Sequence, residues 1–190
     1  MTGFSYGDPN LSGKRVEVLH DAFPGLKRLA VLYAPDARGS LSQLAGARAA
    51  ASVFKIAVVP VAVPSEAALA PAIEAVLRDG ADALVSSTSP LFRSHGATIA
   101  AIAAQYRVPV IYEAASVVEA GGLMSYGPDW HRILRRMADY ADRILKGAKP
   151  AELPVEQQVH VELVINLKTA AALGLVIPLA FVALADRVIE

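Results

Sequence analysis

The sequence contains no cysteine, which removes disulfides, thiolate metal sites and cysteine nucleophiles at once. It has no excess of either charge. Eighteen basic residues balance eighteen acidic ones, so the clustered positive surface that nucleic acid or an anionic membrane requires is missing. The densest basic stretch, Arg132, Arg135 and Arg136, fits the solvated face of a helix. No long apolar run is present either: Leu175 to Ala185 is interrupted by Pro178 and is too short to span a bilayer. Met1 to Asn10 shows neither the basic nor the apolar region of a signal peptide.

Motifs of common chemistries are absent too. The thirteen glycines never form G-x-G, so the dinucleotide fingerprint is missing, as is the phosphate-cradling loop of ATPases. His20, His95, His131 and His160 lie in separate elements, and none stands at metal-ligand spacing from another histidine. His95 lies close to a serine-rich loop, but a partly exposed helix histidine is the simpler reading. The residues thus supply no catalytic constellation, no metal site and no cofactor site.

What is present is apolar bulk in alternating periods. Hydrophobic residues make up 54% of the chain, ample for a core. Arg28 to Tyr33, Ile56 to Val63, Asp82 to Ser86 and Val108 to Tyr112 read as buried strands, with Pro60 placing the second at an edge. Between them, Ser40 to Phe54 and Ser65 to Asp79 are helical, the latter with a stripe of Leu69, Ile73, Val76 and Leu77 and with Gly80 just past its end. Pro71 is expected to open the main part of that helix after an irregular turn. Ser89-Pro90 starts a third helix, with Ile99, Ile102, Ala103 and Tyr106 on one face. This alternation predicts an α/β fold with a doubly wound parallel sheet.

After Glu113 the rhythm changes. A short strand, Leu123 to Tyr126, precedes a long helix expected to open at Gly127-Pro128 and to bury Ile133, Leu134, Met137, Ala141, Ile144 and Leu145. A strand from Val159 to Ile165, a short helix capped by Asn166 and ending at Gly174, and a last helix after Pro178 follow. In open α/β sheets, ligands collect at the C-terminal ends of the strands. Three places qualify there. Ser86 to Ser89 offers hydroxyls beside a helix start, as a carboxylate cradle or simply as a cap. Glu113, after Tyr112, is placed to receive an ammonium group or to face solvent. Tyr126 is placed to stack on a ligand or to pack.

Several segments together resemble one family. They are GGLMSYGPD at residues 121–129, LKGAKPAELPVEQ at 145–157, ELVINLKTAAALGLVIP at 162–178, and earlier T-G-F-S, L-S-G-K-R, Tyr33 to Pro35 and S-P-L-F at Ser89 to Phe92. The family is that of substrate-binding proteins of ABC importers, with the type I periplasmic-binding-protein fold. The resemblance implies a binding protein, not an enzyme. It implies a periplasmic location and capture of a small polar, amino-acid-like solute between two closing lobes for delivery to a membrane permease. It places residues 1–11 in a hinge segment, 12–115 in a second Rossmann-like lobe, and 116–190 in a hinge return with a long helix and a C-terminal strand and helix. Family members are longer, so the chain is expected to be a truncated form lacking the first lobe. Its solute contacts are then Ser87, Thr88, Ser89, Tyr112 and Glu113, with Tyr126 near the hinge. Helix 128–146, deprived of that lobe, is expected to be exposed and to drive formation of a homo-oligomer. Two other readings stand beside this one: a small racemase- or flavodoxin-like α/β enzyme, and an oligomerising remnant that makes protein contacts only.

Overall fold

The computed structural model describes residues 2–5, 10–157 and 160–190. A seven-stranded sheet runs in the order β3-β2-β4-β5-β6-β8-β9. The strands are β2 (Arg28–Tyr33), β3 (Ala57–Ala62), β4 (Ala83–Ser86), β5 (Val110–Tyr112), β6 (Met124–Pro128), β8 (Val161–Asn166) and β9 (Arg187–Ile189). All neighbours pair in parallel except β6 with β8, which is antiparallel. β1 (Gly3–Ser5) and β7 (Val155–Gln157) form a separate parallel pair.

Helices cover both faces, as the apolar runs in the strands demand. One face packs α1 (Asn10–Ala22), α2 (Ser40–Val53), α8 (Leu167–Leu173) and α9 (Leu179–Val182) onto Leu29, Val31, Val85, Ile111, Met124 and Ile165. The other packs α3 (Glu66–Arg78) and α5 (Gly96–Tyr106) onto Ala30, Leu32, Leu84, Val110 and Tyr112. Two five-residue helices, α4 (Pro90–Ser94) and α6 (Ala115–Glu119), follow β4 and β5 directly. The α3 stripe of Leu69, Ile73, Val76 and Leu77 is buried, Pro60 lies on the edge strand β3, and Gly80 adopts φ +86° just beyond α3.

Several expectations need correction. Pro71 does not open a helix but sits inside α3, where only one early N–H is lost. The helix expected from Pro90 is two helices, broken at His95, whose Nε2 lies 3.6 Å from Glu66 Oε2. Gly127 and Pro128 end β6 instead of opening a helix. Asp129 caps α7 (Trp130–Leu145), accepting 2.9 Å from the N–H of Arg132. Of the stripe predicted on α7, only Ile133 is buried, with Tyr140 beside it; Leu134, Met137, Ala141, Ile144 and Leu145 are exposed. α7 touches the small β1–β7 layer, where Tyr140 meets Phe4 at 4.7 Å between ring centroids. Val159 lies outside the described residues. Among the described residues no helix is long and apolar enough to cross a membrane.

Candidate functional site

The connection β2-α2-β3 leaves the sheet on one face, while β4 is followed by helices on the other. The loops after β2 and β4 therefore part above the strand ends, which is where open α/β sheets form a crevice. Gln43 on α2 bridges it, its Oε1 accepting 2.7 Å from the N–H of Thr88. Ser40, at the start of α2, accepts 3.1 Å from the N–H of Ala34 and ties down the loop after β2.

Ser87, Thr88 and Ser89 occupy the loop after β4. The N–H of Ser87 continues the sheet pattern by donating 3.0 Å to Leu32 O, which turns its side chain into the interior, where Oγ is buried without a hydrogen-bond partner. Ser89 Oγ caps α4 by accepting 3.3 Å from the N–H of Leu91. Thr88 is half-buried.

Glu113 follows β5 and is buried. Its Oε1 accepts 3.0 Å from Arg93 Nε and also accepts from Arg93 Nη2, while Oε2 has no hydrogen-bond partner. The Arg93 guanidinium in turn rests 4.7 Å from the centroid of Trp130, at the start of α7. A second guanidinium stands close by. Arg15 on α1 is 1% exposed, donates 2.8 Å from Nε to Tyr126 O, and keeps Nη1 without a partner. Burial brings the Arg15 pKa down to about 10, and the charge of Glu113 opposes that fall.

The structure thus brings Ser87, Thr88, Ser89 and Glu113 to adjacent strand ends. Tyr112 is turned into the core beside Val117, its ring lying over Gly122, and burial raises the pKa of its unpartnered hydroxyl. Tyr126 packs, half-buried, on the opposite face. Sequence reasoning missed Arg15, Gln43, Arg93 and Trp130. The one signal for Arg93 was Glu113 itself, because a buried carboxylate requires a cation. Among the described residues no group of three His, Asp or Glu side chains is placed to hold a metal.

A family model described as ABC transporter substrate binding protein matches residues 1–189. A conserved domain protein from Vibrio cholerae is similar at 29% identity and TM-score 0.85, over 98% of this chain and 62% of that one. An ABC domain from Streptococcus pneumonia, solved in complex with L-Trp, is similar at 28% identity and TM-score 0.82, over 99% of this chain and 64% of that one. A solute-binding protein from Actinobacillus succinogenes with bound D-allose shares the fold at 12% identity and TM-score 0.63, over 83% of this chain and 60% of that one. The chain spans less than two thirds of the length of each of these structures. The comparison with curated proteins found no match.

Proposed function

This chain belongs to the ABC transporter substrate binding protein family, whose members are binding proteins and not enzymes, and from that premise we propose that it holds a small polar, amino-acid-like solute for delivery to a membrane permease. The observation that carries the reading is the convergence of Ser87, Thr88, Ser89 and Glu113 at neighbouring parallel strand ends beside the switch point of the sheet. Tyr112 and Tyr126 end up on opposite faces of the sheet, Tyr112 in the core and Tyr126 half-buried, so both rings pack. Hydroxyls and a paired charge orient a solute without activating it, which suits capture and release. The L-Trp complex of the Streptococcus relative supports an amino-acid skeleton. The family is typically extracellular or periplasmic, and the same location is proposed here.

A thermal-shift screen of amino acids, their des-amino and decarboxylated analogues, and sugars tests this directly. Stabilisation by one solute class, lost in Thr88→Ala together with Ser89→Ala, supports the reading; turnover of any solute contradicts it. The exposed face of α7 adds a second element to the proposal. A helix presenting Leu134, Met137, Ile144 and Leu145 to water favours self-association of this chain.

A further inference from the structure

We infer that Arg93 sets the charge selectivity of the crevice, so that the solute is recognised by a carboxylate and gains nothing from an ammonium group. The inference rests on the solute-binding reading above and narrows it. Glu113 is the only buried acidic side chain among the described residues, and therefore the natural seat for a solute ammonium. That seat is taken. Two nitrogens of Arg93 bind Glu113 Oε1, and the guanidinium is held over Trp130. Side-chain exposure is 36% for Arg93 and 3% for Glu113, so the member of the pair that faces an incoming solute is the cation.

Arg15 strengthens the bias. It is buried within the electrostatic reach of the same carboxylate, with one nitrogen unpartnered, and it leaves the group of Arg15, Arg93 and Glu113 with one positive charge in excess. A solute ammonium would have to displace Arg93 from a charge-assisted pair and would then sit near a second buried cation. A carboxylate meets the open side of Arg93 and the hydroxyl of Thr88 with no such exchange. A purely structural ion pair, holding α4 against β5, makes no difference between the two kinds of solute.

The test titrates the wild-type chain calorimetrically with two matched series: L-tryptophan, indole-3-propionate and tryptamine, then leucine, 4-methylpentanoate and isoamylamine. The expected result is that the des-amino acid binds within about threefold of the amino acid, while the amine binds at least about tenfold more weakly. In Arg93→Gln the carboxylate is uncovered, and the amino acid gains about tenfold over its des-amino partner. Circular dichroism checks that this variant folds. If it does not, Glu113→Gln carries the test: freeing Arg93 raises affinity for the carboxylates several-fold, whereas a true ammonium seat would lose about tenfold for the amino acid. A wild-type preference of tenfold for the amino acid over its des-amino analogue overturns the inference. So does preferred binding of an amine. Binding of a sugar where none of the six solutes binds overturns the charge assignment and leaves solute capture standing; binding of nothing overturns both.

Discussion

Gly127 passes so close to the backbone of Glu113 that a Cβ on Gly127 would overlap the Glu113 carbonyl oxygen. The obstacle is main chain, so no side-chain rotation relieves it. β6 can lie beside β5 and bring Tyr126 level with Glu113 only because residue 127 is glycine. Gly127→Ala is expected to lower stability by about 1–3 kcal/mol and to disturb the Glu113 loop. Gly25→Ala, where a Cβ meets nothing within 4 Å, is expected to stay within about 0.5 kcal/mol of wild type. Urea unfolding of both variants measures the contrast.

Asn166 does two jobs at the end of β8. Its Oδ1 accepts 3.0 Å from the N–H of Thr169 to cap α8, and its Nδ2 donates 3.2 Å to Val118 O. Asn166→Ala leaves the N–H of Thr169 at the helix start without its cap and removes one of two donors to Val118 O, which keeps the N–H of Gly121. The expected loss is about 1–3 kcal/mol, while Asn166→Asp keeps the cap and loses only the donor. Parallel denaturation curves for the two variants separate these contributions.

An acid-sensitive contact joins α7 to β7. Hydrogen bonds from Arg136 and from the Tyr140 hydroxyl hold Glu156 down to a pKa of about 2, from an ordinary 4.5. A carboxylate with a depressed pKa contributes stability that is complete above its ordinary value and is lost as pH falls through the folded one. The thermal midpoint is therefore expected to fall between about pH 5 and pH 2, and Glu156→Gln is expected to flatten part of that fall. Melting curves across this range decide it.

The exposed α7 face gives a concentration-dependent prediction. Leu145 is 87% exposed and Leu134 59% exposed, and burying such side chains is worth about 1.5–3 kcal/mol each. Sedimentation of the chain at micromolar concentration is expected to show a self-associated species, and Leu134→Glu with Leu145→Glu is expected to return it to monomer. A wild-type monomer at that concentration contradicts the expectation.

The parts of this fold that were legible in the sequence are those whose signals are local. The α3 stripe, Pro60 on an edge strand, Gly80 after a helix, Ser89 with Pro90 and the Asn166 cap each rest on neighbours within one turn. What escaped depends on distance. α1 was missed because its inner face carries Ser12 and Arg15, both buried, and so lacks a clean apolar stripe. β9 is three residues long and gains its identity from pairing with β8. The stripe on α7 was amphipathic as predicted, yet the sheet does not reach it, and periodicity alone does not say what a face meets. At the crevice the hydroxyls and Glu113 were legible as strand-end residues. Arg93 was not, because it is 20 residues from Glu113 in sequence and the pair has no spacing signature; Arg15 is 111 residues from Tyr126.

The central claim is that a small carboxylate-bearing solute binds at the ends of β4 and β5. A single sheet edge leaves one side of the solute in water, so affinity in this chain is expected to be about millimolar, or about −4 kcal/mol. An NMR titration of the isotope-labelled chain with the tightest solute from the panel reads the location at that affinity. The account predicts saturable amide shifts at Ser87, Thr88, Ser89 and Glu113 and a shifted Arg93 side-chain Nε signal. Saturable shifts confined to the open groove between α5 and α8, lined by Ala97, Ala100, Ala104, Lys168 and Thr169, with the strand-end loops unmoved, would contradict it.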